Sequence, residues 1–376
     1  MLRQFFYSII TSIILLFIII KLRYRFWASQ PVFHTYNLWY WLVPPGIIQH
    51  NVPEKTKFFD PLIDVMRPHN ISTEKKALIF SFLKMHYEYL KKIAYNPSKG
   101  SIITLLKGNS YISLRYSSYK KNIIACLTSR PLECNIRNQT LTVSYFDFLC
   151  VHPKYRKKGA AAKLLYTHYQ STRALGNQPV FVFKRTGSCG INTPITLFKT
   201  YIVDSKPYER VNLQLPSSIS THIIQAYNCE LLIHFLREVR MNFDCVIKPK
   251  TVHLVDNISN GYIIPTVILD NQTVVCVTLF KNPQIYIDDN LVLECIGSYC
   301  RRGYEKYFKS SFTNSIVLLK KKFNFSYIKI ENISHNYHLI KKILKISIPK
   351  WILSQGYYFY NFAYRPFFSP NVFIIQ

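Results

Sequence analysis

No two of the nine cysteines stand in a C-x-x-C pair, and acidic residues are scarce, 19 Asp and Glu against 48 Lys and Arg. The odd cysteine count and the missing pair exclude a disulfide framework and a zinc site, and they place the body in a reducing compartment. The shortage of acid leaves a net charge of +29. An excess of that size usually points to nucleic acid, but here single lysines are spread along the whole chain rather than gathered into an arm or stripe. Nucleic acid is therefore not expected as a partner, and a polyanionic small ligand is enough to use the charge. Lys, Ile, Asn, Tyr and Phe are over-used together, which an AT-rich coding sequence also produces, so part of the charge carries no functional meaning. The same richness in asparagine generates N-x-S/T sequons at Asn70, Asn138, Asn257, Asn271, Asn324 and Asn332, read as unglycosylated. With 376 residues, 49% of them hydrophobic, the chain can bury a large core in one big domain or two ordinary ones, and disorder is excluded as its main state.

From Phe5 to Ile20 the chain reads FFYSIITSIILLFIII without a charge, flanked by Arg3 and by Lys21, Arg23 and Arg25. Sixteen residues of helix span about 24 Å, slightly short of a ~30 Å hydrocarbon core unless Leu2 and the flanking stems contribute. No small-residue cleavage site follows, so the segment reads as a single-pass membrane anchor rather than a removable signal. More positive charge follows the segment than precedes it, which leaves the body facing the cytosol.

Beyond residues 1–24 the periodicities predict an α/β (α+β) body. An aromatic and proline-rich stretch at Tyr36 to Pro45 precedes a helix at Lys75 to Ala94. Strands are expected at Ser110 to Tyr116, Asn122 to Leu127 and Thr140 to Val151, a helix at Gly159 to Arg173, and a strand at Pro179 to Lys184. The second half loosely repeats this order: a helix at Ile223 to Arg240, strands at Gly261 to Leu269, Thr273 to Phe280 and Leu291 to Ile296, a helix at Phe312 to Lys322, and strands at Tyr327 to Ile330 and Tyr357 to Tyr364. Two similar halves, 25–210 and 211–376, meet near Ser205 to Leu215.

The most informative stretch is YFDFLCVHPKYRKKGAAAKLL, Tyr145 to Leu165, in which a strand ends, a basic turn follows and a helix begins at a glycine and three alanines. A helix N-terminus offers unpaired N–H groups and partial positive charge to an anion, and Gly159 with Ala160 and Ala161 lets a pyrophosphate approach the backbone. Arg156, Lys157 and Lys158 add full charges. Taken alone, the same pattern also fits a basic cap on a solvated helix.

The spacing R-x-x-G-x-A resembles the coenzyme A pyrophosphate motif of the GCN5-related acetyltransferases. FLCVH, Phe148 to His152, resembles the first signature of the N-myristoyltransferases, E-[IV]-N-F-L-C-x-H-K. RFWASQPVF, Arg25 to Phe33, is similar to that family's KFWxTQPVP element, and IACLTSRPLECNI, Ile124 to Ile136, to its VGFISAIPANIHI strand pair. FNFSYIKIENISHNYHLIKKI, Phe323 to Ile343, YYFYNFAYRP, Tyr357 to Pro366, and the terminal VFIIQ continue the resemblance in order. It implies tandem GCN5-related N-acetyltransferase-like domains, the first gripping acyl-CoA and the second supplying much of a peptide groove. The activity it implies is transfer of a myristoyl group from myristoyl-CoA, as co-substrate, to the N-terminal glycine of proteins, with no metal and no resident cofactor.

For matching positions the resemblance implies roles. Arg25, Phe26, Trp27 and Val151 lie against acyl-CoA, and Arg156, Lys157, Lys158, Gly159, Ala160 and Ala161 hold its phosphates. The backbone N–H groups of Phe148 and Leu149 form an oxyanion hole, and the C-terminal carboxylate of Gln376 is the base that takes a proton from the amine. The chain departs from the family pattern at KISIPKWILSQGY, where K-F-G-x-G-D-G is expected and only Gly356 is left of it, and at LFKT, Leu197 to Thr200, where Phe198 stands near a histidine of YWHR. Asp147 replaces an asparagine. Another amine acyltransferase of the same fold, or a membrane-tethered protein that binds acyl-CoA without turnover, remains open at this point.

Overall fold

The computed structural model describes residues 2–87, 93–97, 102, 105–117, 122–137, 139–187, 190–209 and 215–376. Runs of β-branched and aromatic residues dominate the body, and they assemble into one 16-stranded sheet among the described residues. Its main path runs Val372–Ile374, Cys245–Lys248, Ile123–Ile136, Gln139–Val151, Phe181–Thr186, Trp351–Tyr360, Thr196–Asp204, Phe325–Glu331, Asn290–Cys300, Thr273–Lys281, Ile263–Asp270 and Ile219–Ile223. The sequence halves are interleaved in this path. Trp351–Tyr360 lies antiparallel between Phe181–Thr186 and Thr196–Asp204, and Cys245–Lys248 pairs antiparallel with Ile123–Ile136.

Helices cover the sheet with their apolar stripes. Ala160–Ala174 buries Leu164 and Tyr169 in a cluster with Leu127, Phe146 and Phe181, while Glu230–Met241 buries Leu232, Phe235 and Val239 against Val277 and Phe373. Each such fully buried side chain is worth about 1.5–3 kcal/mol relative to exposure.

Most predicted elements are present with shifted ends. The helix expected at Lys75 to Ala94 spans Thr73–His86, capped by the Ser72 hydroxyl accepting from Lys75 N–H at 3.3 Å; residues 88–92 lie outside the described set, and Ile93–Tyr95 is a strand. The helix expected at Ile223 to Arg240 is confined to Glu230–Met241. Ile219–Ile223 instead joins the sheet edge beside Ile263–Asp270, and Gln225 and Asn228 cap each other across a single 3-10 turn. The last long strand begins at Trp351 and stops at Asn361, whose φ of 63° turns the chain while its side-chain amide donates to Gln49 O and Pro179 O. The eight described cysteines are all buried and free of disulfides.

At the N-terminus, Leu2–Arg23 is one helix, and its Arg3–Arg23 stretch is long and apolar enough to cross a membrane, with none of that stretch buried in the body.

Candidate active site

The strands Gln139–Val151 and Phe181–Thr186 run parallel but pair only at Ser144 with Phe181 and Tyr145 with Val182. Beyond that point they separate, because a β-bulge bends the first strand. Cys126 opposes Cys150 and Thr128 opposes Asp147, so Phe148 and Leu149 together face a single residue, Leu127. Phe148 carries the bend at φ 50°, a left-handed conformation that a bulky residue adopts only where packing enforces it. Tyr87 and Tyr95 supply that packing, their ring centroids 5.7 and 6.0 Å from that of Phe148.

The gap holds a cavity of about 750 Å³. One wall is the bulged strand, from Tyr145 to Leu149 with Val151, and the facing wall is Phe183 to Thr186. Phe26 and Trp27 close one side, the indole stacked on Phe183 at 5.5 Å. Arg156, Lys157, Gly159 and the start of the helix at Ala160 close another. Gly159, at φ 77°, makes the turn into that helix without any capping side chain, so the N–H groups of the first turn stay available to an anion. Arg156 braces the turn, its guanidinium donating to Val151 O and His86 O, both at 2.9 Å.

The chain terminus reaches the same cavity. Val372–Ile374 lies parallel to Cys245–Lys248, Ile375 N–H donates to Ile247 O at 2.8 Å, and Gln376 lines the cavity while only 3% exposed. Four buried apolar side chains, Val372 to Ile375, hold it there with roughly 8 kcal/mol of gross burial, so this terminus does not fray.

Of the thirteen residues singled out from the sequence, eleven line this cavity: Phe26, Trp27, Phe148, Leu149, Val151, Arg156, Lys157, Gly159, Ala160, Ala161 and Gln376. Arg25 and Lys158 are exposed and lie off its wall. Phe198 is elsewhere too, buried and stacked on Tyr357 at 5.4 Å. Asp147 stands at the bulge itself: its Oδ1 accepts the N–H of Phe148 at 2.9 Å, and Oδ2 is 3.7 Å from Nε of the buried Arg130.

A set of buried charges on the far wall escaped the sequence reading. Lys329 pairs with Glu294 at 2.6 Å, and Lys184 pairs with both Glu294 and Glu331. Burial pushes the Glu294 carboxyl up, but Lys329, Lys184 and Lys281 outweigh it and hold it well below the usual range. Lys281, cross-strand from Glu294, sits 4.9 Å above the Tyr262 ring, and burial pushes its proton affinity down. Lys281, Glu294, Lys329 and Tyr262 all line the cavity. The signal was a lone charge in an otherwise apolar strand, as in TVVCVTLFK and NLVLECIGSYC.

No protein-family model matches the chain. A putative glycylpeptide N-tetradecanoyltransferase of Arabidopsis thaliana is 23% identical over 210 residues, and that match spans 51% of this chain and 46% of the relative's length. The structure is similar to that of Saccharomyces cerevisiae N-myristoyltransferase with bound myristoyl-CoA, at a TM-score of 0.73 and 12% identity over 94% of this chain and 99% of that one. A further structure of the yeast enzyme, with myristoyl-CoA and inhibitors, gives a TM-score of 0.71 at 11% identity and covers 94% of this chain and 96% of that one. The chain thus resembles N-myristoyltransferases in sequence and has their mixed α/β fold.

Proposed function

We propose that this chain is a glycylpeptide N-tetradecanoyltransferase, moving a myristoyl group from myristoyl-CoA to the N-terminal glycine amine of proteins. The observation that carries the reading is the single cavity that joins an uncapped helix N-terminus, the left-handed bulge at Phe148 and the buried Gln376.

In this reading the coenzyme A phosphates rest on the first turn at Gly159, Ala160 and Ala161, with Arg156 and Lys157 adding charge at the wall and Lys158 and Arg25 adding it from outside the cavity, while Phe26, Trp27 and Val151 lie along the rest of the acyl-CoA. The thioester oxygen points at the N–H groups of Phe148 and Leu149. The amine, made neutral by the α-carboxylate of Gln376, attacks the carbonyl carbon. The C–S bond breaks, and of the two protons the nitrogen gives up, one passes by way of that carboxylate to the coenzyme A thiolate and the other leaves to solvent. Two fixed donors at the developing negative charge can contribute several kcal/mol to the transition state. An N-terminal amine is mostly protonated at neutral pH, so a base beside it is needed to free the nucleophile.

The halves 25–210 and 211–376 are read as two GCN5-related acetyltransferase-like units, and the helix of residues 2–23 as a single-pass tether with the body in the cytosol. Removing residues before Lys21 should then turn an integral membrane protein into one that can be washed from membranes, and leave its activity on soluble peptides intact. The deciding test incubates detergent-solubilised protein with myristoyl-CoA and a glycine-first or alanine-first peptide, and reads products by mass spectrometry. Acylation of the glycine peptide alone is expected; no acylated peptide at all overturns the reading.

A second reading, acyl-CoA binding without turnover, is favoured by one contact. Phe148 N–H already donates to Asp147 Oδ1, so an oxyanion must displace that carboxylate. Tight myristoyl-CoA binding with no product from either peptide would select it.

A further inference from the structure

The site described above leaves the surface of residues 36–43 without a role. The stretch YNLWYWLVPP, residues 36–45, carries no charge, in a chain with a net charge of +29. It is firmly built. Asn37 Oδ1 caps a five-residue helix, Leu38–Leu42, by accepting from Tyr40 N–H at 3.3 Å, and Trp41 Nε1 donates to Thr35 O at 3.0 Å. The Arg365 guanidinium fastens it from the far end of the chain by donating to Trp41 O and Leu42 O, at 3.0 and 2.9 Å. Yet Leu38, Trp39 and Leu42 are 75%, 65% and 66% exposed, and Val43 is exposed beside them. A rigid segment that holds four apolar side chains outward in water gives up about 1.5–3 kcal/mol at each of the larger ones.

The depth of this segment is set by one contact. The Tyr36 ring meets Phe17 of the long apolar helix edge-on, at 5.6 Å between centroids. Phe17 lies four residues before Lys21 and six before Arg23, which puts it about 6 and 9 Å along the axis toward the apolar side of those charges. Lys21 Nζ reaches back over the Phe17 ring, 4.9 Å from its centroid, so with Lys21 and Arg23 at the headgroups the Phe17–Tyr36 contact falls at the boundary between headgroups and upper acyl chains. At that depth lipid is the surface that would cover the exposed face. Trp and Tyr at its edges are the side chains that favour the interface.

We propose that residues 36–43 are a second membrane contact, lying in the bilayer interface beside the spanning helix, with a lipid surface as their partner. The inference rests on the tether reading above. A single helix would let the body swing about residue 24, whereas two contacts fix its orientation. Phe26 and Trp27 fall between the two contacts in sequence, so the cavity wall they form is held at the lipid surface.

The test uses the full chain in phosphatidylcholine vesicles whose acyl chains are brominated at a shallow or a deep position, and reads tryptophan emission. The wild type is compared with Trp39→Phe/Trp41→Phe, which keeps aromatic rings at both sites, and with that variant carrying Ile13→Trp as a reporter of the long helix. Shallow bromines should quench the wild type, the double variant should lose most of that quenching, and the reporter should restore quenching by deep bromines. A quenched reporter with an unquenched wild type overturns the second contact and leaves the tether standing. An unquenched reporter removes the tether and with it the depth assigned to Tyr36. An unquenched wild type that is dimeric in detergent gives the patch to a second copy of the chain and likewise overturns the proposal.

Discussion

Asp147 is the residue at which local chemistry and the proposed reaction conflict. Its carboxylate is held between Phe148 N–H and the buried Arg130, and it brings negative charge to the place where the reaction would develop more of it. Asp147→Asn removes the charge and keeps an acceptor for the turn. Steady-state kinetics should show kcat rising about fivefold, the equivalent of ~1 kcal/mol less repulsion in the transition state. A fall in kcat would instead make Asp147 the residue that positions the bulge. His168 tests the core rather than the reaction. Its ring lies between the Ser113 and Ser129 hydroxyls at 2.7 and 2.8 Å, and burial pushes its pKa down to about 3. A histidine neutral in the fold and ionisable when unfolded contributes stability above its unfolded pKa of ~6.5, and that contribution is lost as pH falls from there toward 3. Thermal unfolding in detergent should therefore lose on the order of 2–3 kcal/mol between pH 6.5 and 4.5 in the wild type, and less in His168→Gln. The cavity-wall residues near the bulge were readable because FLCVH and the glycine turn are short, contiguous strings. Lys281, Glu294 and Lys329 come from three separate strands, and only the pairing of those strands reveals that their side chains meet.

At the scale of elements, the turn into Ala160–Ala174 carries a separate prediction. A Cβ on Gly159 would meet no atom within 4 Å, so space in the empty site is not what requires glycine there. The φ of 77° is, at a cost of about 1–2 kcal/mol for any other residue, and in the proposed reading the added methyl group would also stand in the path of the pyrophosphate. Gly159→Ala should raise KM for myristoyl-CoA about tenfold, with the melting temperature lowered by only a few degrees and kcat nearly kept. A loss confined to kcat would remove the phosphate role from this turn. Gln139–Val151 was legible nearly to its ends because its β-branched and aromatic residues run without a break by Gly or Pro, whereas Ile123–Ile136 was expected from its pattern only as far as Leu127 and continues, mostly buried, through Pro131. Thr196–Asp204 and Cys245–Lys248 were not seen as strands. In the first, burial does not follow polarity, since Leu197 is exposed while Thr196 and Thr200 are buried, and the second is four residues long and exists through its partners on both sides.

The whole molecule makes the chain terminus part of the cavity by a route no local pattern contains. Val372–Ile374 has one sheet neighbour, Cys245–Lys248, and that strand is tied to Ile123–Ile136, so the last residues reach the site through a strand of the opposite half. The resemblance implied a place for the Gln376 carboxylate beside the reacting amine, but no local pattern in VFIIQ shows the strands that carry it to the cavity. In the proposed reaction the position of one carboxylate is the test of this architecture. Adding a single glycine after Gln376 moves the charge one residue, about 3.5 Å, and replaces it at the old site with a neutral amide. Burial of Val372 to Ile375 is untouched, so the fold and its affinity for myristoyl-CoA should persist, as read by isothermal titration. Transfer to the glycine peptide should fall at least a hundredfold at neutral pH. It should recover in part as the pH is raised, because an amine that has already lost its proton no longer needs the carboxylate. Full activity in the extended chain at pH 7 would take the base away from the terminus and leave the buried amine of Lys281 as the next group to test.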